Sequence, residues 1–331
     1  MSQDSFKDLQ IVEGDIKKKR VKLDGDINSW KQYADVSKIY KVEDLIGEGK
    51  FGKVYAARLV DDLGIIYGDI VAIKELGLPP TVKEFKKIED EISYLYEVTV
   101  NDCHPNVICY IDHFLSNNKL YIVTELIRGE SMENFIDNQW KDEWLENDGK
   151  ILPYNKNRLN YPAFINVEQM LVGLLKGIEH LHKYDIVHRD LKPTNIMIRN
   201  PHSRNFQAVI IDLGLSCMNE CKPGGGTPLY MAPERIIAEA KDRHKLPLAV
   251  LKMSDMCGIG MCMYEYMVGR HFYSDLIQNL EELIAMAETN YPKLNYNWFN
   301  NKKLKDLVGS LLDRVVISRP TASQALRKLN K

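Results

Sequence analysis

The hydrophobic period of this chain changes once, near residues 127 to 129, and that change restricts the fold more than any other feature. Before it the apolar runs are short: V-E-D-L-I (42–46), K-V-Y-A-A-R-L-V (53–60), D-I-V-A-I-K (69–74), V-I-C-Y-I-D-H-F (107–114) and L-Y-I-V-T-E-L (120–126). Runs of this length, joined by turns, predict an antiparallel sheet. Within them, residues 81–99 set Phe85, Ile88, Ile92 and Leu95 three and four apart, the spacing of one apolar helix face. After residue 127 the period is helical. The run V-E-Q-M-L-V-G-L-L-K-G-I-E-H-L-H (167–182) is apolar on more than one face, and both it and 255–268 are expected to be buried helices. The expected class is α+β: a small antiparallel β-rich lobe with one key helix, then a larger, mainly helical lobe.

Residues 1–38 are polar, mixed in charge and without a sustained apolar period, so they read as an N-terminal extension, partly disordered. Residues 39–331 read as one domain, divided into 39–127 and 128–331, with an insertion at about 140–162. Trp140, Trp144, Leu145, Ile151 and Tyr154 favour an insertion folded back on its own lobe over a docking surface. Lys and Arg number 44 against 46 Asp and Glu, a net charge of -2, so no global field favours nucleic acid or an acidic membrane. Partners must be read from local sites, and neither nucleic acid nor membrane is expected among them. The start M-S-Q-D-S-F-K-D-L-Q lacks a signal pattern, and the most apolar stretch, 257–269, is interrupted by Glu265. An intracellular setting follows, cytoplasmic or nuclear. K-K-K-R at 17–20 suits an import signal, although a solvated charge run is the more frequent explanation of such a stretch. Six cysteines without paired spacing are expected to be reduced thiols; Cys217 and Cys221, four apart, could form a redox clamp.

Five local motifs carry chemistry. G-E-G-K-F-G-K-V (47–54) has glycines where backbone amides could approach a polyphosphate. A dinucleotide fold would want a helix after it, whereas Lys53 to Val60 alternates like a strand. V-A-I-K (71–74) ends an apolar strand on Lys74, and Glu91 on the amphipathic helix is a carboxylate able to hold that ammonium. I-V-H-R-D-L-K-P-T-N-I-M-I (186–198) confines a carboxylate, an ammonium and a primary amide to one loop between apolar flanks. I-I-D-L-G (210–214) and G-T-P-L-Y-M-A-P-E (226–234) follow in that order.

Taken together over roughly residues 40 to 328, these motifs resemble the eukaryotic-type protein kinases, and Lys192 with G-T-P at 226–228 resembles their serine/threonine class. The resemblance implies a bilobal fold that transfers the γ-phosphate of ATP to a Ser or Thr hydroxyl of a protein substrate, with Mg2+ as the metal and Mn2+ able to substitute. It makes Asp190 the residue that orients the hydroxyl and accepts its proton, Lys192 the neutraliser of the migrating phosphoryl charge, and Thr227 a hydroxyl bridge between the two. Lys74, held by Glu91, would engage the nucleotide phosphates, while Asn195 and Asp212 would hold the metal. Nucleotide contacts would come from Ile46, Gly47, Glu48, Gly49, Gly52, Val54, Ala72 and Met197. The connector from Glu125 to Ile127 would offer backbone hydrogen bonds to adenine, with Thr124 limiting access behind it.

The same resemblance pairs Glu234 with Arg319 and makes Asp255 a brace for the catalytic loop. Departures are Leu213 for a usual phenylalanine, packing against His188, Leu95 and Tyr110, and Cys257-Gly258 for a usual tryptophan and serine. Lys222 and Pro223 stand where the family tends to carry a phosphorylated residue, so activity is expected without phosphorylation there, with Glu220 or phosphorylated Ser216 as anionic partners of Arg189. Leu215 weakly favours serine, and Thr194 in place of a glutamate leaves no consensus around the target. The alternative reading is a nucleotide-binding pseudokinase scaffold. Neither the target protein nor the oligomeric state is legible.

Overall fold

The computed structural model describes residues 30–33, 35–49, 52–60, 66–146, 167–203, 205–219, 221–241, 245–273, 279–289 and 301–330. The chain divides into two compact units, residues 1–103 with 108–126 and residues 104–107 with 127–331.

The first unit is built on a six-stranded sheet. Its strands are β1 (Gln32–Tyr33), β2 (Tyr40–Gly49), β3 (Gly52–Val60) and β4 (Ile66–Gly77), then, after helix α1 (Val82–Thr99), β5 (Tyr110–Ser116) and β6 (Lys119–Glu125). Their spatial order is β1-β5-β6-β4-β3-β2, antiparallel throughout except for the parallel pair of β1 with β5. Asn117 and Asn118 take left-handed φ of 49° and 58°, which lets the two residues between β5 and β6 close a tight hairpin. Ala57, Ile73, Phe114 and Val123 are wholly buried on one face, with Tyr40 stacked on Phe114 at 5.8 Å. Helix α1 is capped by Thr81, whose hydroxyl oxygen accepts from Glu84 N at 3.2 Å. It buries Phe85, Ile92, Leu95 and Val98. Ile88 is only half-buried, and Glu89, at 1% exposure, takes the inner position.

In the second unit β7 (Gly129–Ser131) leads into α2 (Met132–Glu146) and α3 (Val167–Lys183). Then come β8 (Ile186–Val187), β9 (Ile196–Arg199), β10 (Gln207–Ile210) and β11 (Cys217–Met218). The last helices are α4 (Pro233–Ala240), α5 (Leu248–Val268), α6 (Leu280–Glu288), α7 (Lys302–Leu311) and α8 (Ala322–Leu329). Strands β10-β9-β7 form one small antiparallel sheet and β11-β8 another. The expected buried helices are α3 and α5. Helix α5 begins seven residues before the expected 255, and Met256 to Met263 are all buried, as a helix apolar on all sides must be. Residues 104–107 belong here because Asn106 donates to Ala208 O at 2.7 Å and accepts from Ile210 N at 2.9 Å.

Some expectations gain detail and one, the state of the cysteines, is revised. The end of the extension is folded: Trp30 is 4% exposed and Gln32–Tyr33 adds a strand to the sheet. A single apolar ring in a polar stretch carries no period, which is why the sequence does not announce it. The K-K-K-R run lies outside the described residues. The insertion starts as helix, since α2 runs to Glu146 and buries Trp140 against Gly269; residues 147–162 lie outside the described residues. The thiols differ from expectation. Cys217 is bonded to Cys221 and Cys103 to Cys109, with Cα separations of 5.4 and 5.3 Å, while Cys257 and Cys262 are free and buried. Separations of four and six residues require the chain to turn back on itself, which depends on local backbone and not on spacing. Among the described residues no helix is long and apolar enough to cross a membrane.

Candidate active site

In the first unit the glycine-rich segment forms the end of the β2–β3 hairpin, with Gly47 opposite Val54, Glu48 opposite Lys53 and Gly49 opposite Gly52. Gly52 has φ of 139°, and a Cβ there would lie 2.1 Å from Glu75 O, so only glycine fits between β3 and β4. Ile46 is half exposed at 48%, and Val54 and Ala72 are partly buried. Lys50 and Phe51 lie outside the described residues.

Lys74 sits in β4 between Val54 of β3 and Ile122 of β6, so its stem is fixed by two neighbouring strands. Its Nζ donates to Glu91 Oε1 at 2.7 Å. The side chains are 25% and 10% exposed, so the pair is shielded enough for its geometry to be held and open enough for the ammonium to meet a ligand. Ala72 lies opposite Thr124, and Glu125 is fastened twice to Cys109, through its backbone N–H to the carbonyl at 2.9 Å and through its carboxylate from the N–H at 3.1 Å.

The second unit gathers the remaining predicted polar groups. The 186–198 stretch lies between β8 and β9, which pins the loop at both ends as its apolar flanks require. Asp190, 8% exposed, is held from several directions. Its Oδ1 accepts from Thr227 N at 2.8 Å and Thr227 Oγ1 at 2.9 Å. Its Oδ2 faces Lys192 Nζ at 3.1 Å and accepts from Asn195 Nδ2 at 3.2 Å. Lys192 Nζ also donates to Thr227 Oγ1 at 3.0 Å, so lysine, threonine and aspartate close a ring. Asn195 Nδ2 donates again to Asp190 O at 2.8 Å, which leaves its Oδ1 as the ligand-capable end.

Asp255 on α5 ties this loop to the core. Its Oδ2 accepts from His188 N at 2.8 Å, its Oδ1 from Arg189 N at 2.9 Å, and His182 Nε2 lies 3.0 Å from Oδ2. Burial alone would raise its pKa; the hydrogen bond and charge of His182, with His188 and the Arg189 N–H, outweigh it and hold the carboxyl below its ordinary value. Arg189 has φ of 70°, a conformation costing on the order of 1 kcal/mol or more, which these bonds sustain. Leu191 packs on Gly258, where a Cβ would meet Leu191 Cβ at 3.1 Å, so the departure from a bulky pair admits the loop's own leucine. Arg319, 3% exposed, donates to both carboxylate oxygens of Glu234 at 2.7 and 2.9 Å.

Asp212 is exposed, has φ of 62°, and accepts from Gly214 N at 3.1 Å through Oδ1. Met197 in β9 is paired with Val209 and Ser131 and is partly buried, and Ile127 is buried. Among the described residues no cluster of three or more His, Cys, Asp or Glu side chains could cage a metal ion. One carboxylate and one amide oxygen suit a hard divalent ion that keeps its waters and shares a substrate's phosphate oxygens.

The segment 212–227 is held by arginines that the motifs did not single out in this role. Arg189 donates to Lys222 O at 2.9 Å, to Leu215 O at 3.5 Å and to Gly224 O. Arg235, 4% exposed, donates to Arg189 O and Gly225 O. Ser216 Oγ donates to His188 O at 3.4 Å, and Glu220 lies outside the described residues. Nothing in the local pattern marks Arg235 as buried, because a cation four residues before Glu239 on a helix reads as a surface pair.

The family model for the protein kinase domain matches residues 40–329. Myosin light chain kinase A of Dictyostelium discoideum is 28% identical, over 88% of this chain and 88% of its own length. The serine/threonine-protein kinase fused of Drosophila melanogaster is 29% identical over 76% of this chain and 27% of its own length. A calcium/calmodulin-dependent protein kinase of Emericella nidulans is 28% identical over 87% of this chain and 64% of its length.

Proposed function

The chain belongs to the protein kinase domain family and is an ATP-dependent protein serine/threonine kinase, and from that premise we propose how its own residues divide the work. Asp190 receives the serine or threonine hydroxyl of the protein substrate, orients it toward the γ-phosphorus and takes its proton as the new O–P bond forms and the bond from the γ-phosphorus to the β,γ-bridging oxygen breaks, releasing ADP. Lys192 offsets charge on the migrating phosphoryl group, and Thr227, which accepts from the lysine and donates to the aspartate, holds both in place. Lys74, held by Glu91, fixes the nucleotide phosphates. Gly47, Gly49 and Gly52 leave the backbone clear beside those phosphates; Ile46, Glu48, Val54, Ala72, Thr124 and Glu125 of the first unit, and Ile127 and Met197 of the second, are the residues we assign to nucleoside contact. Such chemistry is mostly positioning, since phosphoryl transfer asks for in-line geometry and charge neutralisation more than for covalent catalysis.

Protein kinases use a divalent metal; Asn195 and Asp212 would hold it, with Mg2+ preferred and Mn2+ able to replace it. When bound, that ion neutralises phosphate charge. Dependence on ATP suits an intracellular setting, cytoplasmic or nuclear, and neither nucleic acid nor membrane enters this reading.

The observation that carries it is the closed ring of Asp190, Lys192 and Thr227, with three contacts between 2.9 and 3.1 Å. A nucleotide-binding scaffold would have no use for an aspartate held this firmly beside a lysine. The test compares wild type with Asp190→Asn for phosphate incorporation into a generic protein substrate. Loss of about a thousandfold with nucleotide affinity kept within about threefold is expected, the range for removing a general base. Equal incorporation by the two proteins would refute the assignment.

A further inference from the structure

Residues 30–33 precede the segment matched by the family model, which starts at 40. They are nevertheless fastened to the first unit. Leu115 N donates to Lys31 O at 2.9 Å, Lys31 Nζ donates to Asp112 Oδ1 at 2.9 Å, and Gln32–Tyr33 pairs with Leu115–Ser116 in register. Tyr33 meets Phe114 edge to face at 5.3 Å. These contacts fix the indole of Trp30 between helix and sheet. Its ring centroid lies 5.1 Å from that of Phe85 on α1 and 4.8 Å from that of His113 on β5, the latter edge to face.

We propose that Trp30 is a positioning residue of the kinase reaction: wedged between β5 and the first turns of α1, it sets the placement of that helix and so the reach of Glu91 to Lys74. The proposal rests on the role assigned above to the Lys74–Glu91 pair. Phe85 and Glu91 are six residues apart on one helix, about 9 Å along its axis at 1.5 Å per residue. A helix moves as a rod, so what displaces Phe85 displaces Glu91. Glu91 has little slack, because its contact with Lys74 is 2.7 Å.

The side chains on either side of Trp30 are themselves packed and bonded. Phe85 is 8% exposed, and His113 is tied to Tyr110 Oη at 2.5 Å through Nδ1 and by its N–H to Asp112 Oδ1 at 2.9 Å. Burial, opposed by Asp112 and assisted by Lys31, lowers the His113 pKa to about 4, so the ring meeting the indole is neutral near pH 7. Among apolar side chains tryptophan fills the largest volume, so truncation leaves a void into which Phe85 and the helix can relax.

The experiment uses the full chain with Trp30→Ala, Trp30→Phe, Glu91→Gln and the Trp30→Ala/Glu91→Gln double variant. Steady-state kcat and KM for ATP are measured with myelin basic protein, alongside hydrogen exchange of residues 82–99. Trp30→Leu replaces Trp30→Ala should the latter not fold. The expected result is a fall in kcat/KM of about tenfold for Trp30→Ala, recovery to within about threefold of wild type in Trp30→Phe, and faster exchange across 82–99. With Glu91 already changed, Trp30→Ala should alter kcat/KM by less than about twofold, since both changes act through one contact. Activity of Trp30→Ala equal to wild type, with Glu91→Gln impaired, overturns the proposal and leaves the Lys74–Glu91 reading standing. The same factor from Trp30→Ala with and without Glu91 also overturns it, as general damage. Wild-type activity in Glu91→Gln would refute the reading of the pair itself, and the proposal with it.

Discussion

Replacing Asp255 by asparagine keeps the side chain's shape and removes its charge. Three donors converge on this carboxylate: His188 N at 2.8 Å, Arg189 N at 2.9 Å and His182 Nε2 at 3.0 Å. Asparagine has one acceptor oxygen. If that oxygen keeps His188 and His182, its NH2 group faces the Arg189 N–H, donor against donor. One charge-assisted bond, worth about 1.5–3 kcal/mol, is lost, and the two that remain become neutral and roughly half as strong. The sum is about 3–6 kcal/mol of stability, less than most of the roughly 5–15 kcal/mol range typical of a folded domain, so the variant should still fold. The freed residue is Arg189, whose φ of 70° makes it ready to relax, and it adjoins Asp190. A displacement of about 1 Å there would lower kcat about a hundredfold while leaving the KM for ATP within about threefold.

Urea unfolding gives the first number and steady-state kinetics the second. Acid titration adds a third. Because the folded carboxyl is held below its ordinary 3.8, its stabilisation is fully present above that value and lost as pH falls through the lowered one. The variant should lack that part of the acid-induced loss. Stability lower by the expected amount with kcat unchanged would refute the bracing argument, because the loop would then hold its geometry without Asp255.

Two further outcomes follow from groups around the same loop. Arg189 already donates to the carbonyls of Lys222 and Gly224, so phosphatase treatment should leave activity within about twofold of the untreated protein; complete loss, restored by autophosphorylation within 216–227, would contradict this. Glu265 is raised to about 7 by burial, opposed by the Tyr230 hydroxyl at 2.7 Å and reinforced by the negative charges of Glu133 and Asp137. The folded state therefore binds more protons than the unfolded one between the ordinary 4.5 and 7, and stability should fall as pH rises through that window. Glu265→Gln should flatten the fall in a series of urea midpoints from pH 5 to 8, and parallel curves for the two proteins would refute it.

The sequence-level reading located the sheet and its helix because their signals are local. Alternation at 53–60 and 69–74 became β3 and β4, and the spacing of Phe85, Ile92 and Leu95 became the inner face of α1. It gathered Asp190, Lys192, Asn195 and Thr227 as one set, and Thr227, 37 residues beyond Asp190, is in contact with it. Trp30 and Arg235 carried no such local signal, because their settings depend on chain arriving from elsewhere: the β5 edge for Trp30, and the carbonyls of Arg189 and Gly225 for Arg235. A lone tryptophan or arginine has no period, and a residue without a period carries no local sign of burial.

What the amino-acid order determined by itself was chemical inventory and local geometry: which residues could act on a phosphate, which runs would be strand or helix, and where the one change of period falls. Tertiary structure alone decided which of Asp255's neighbours it would brace, which carbonyls Arg189 would grip in place of an anion, and that Trp30 would be enclosed between helix and sheet. The physical reason is range. Backbone preference and amphipathic spacing act over a few residues, whereas hydrogen bonds and close packing are settled only when groups far apart in sequence are brought within about 3–4 Å.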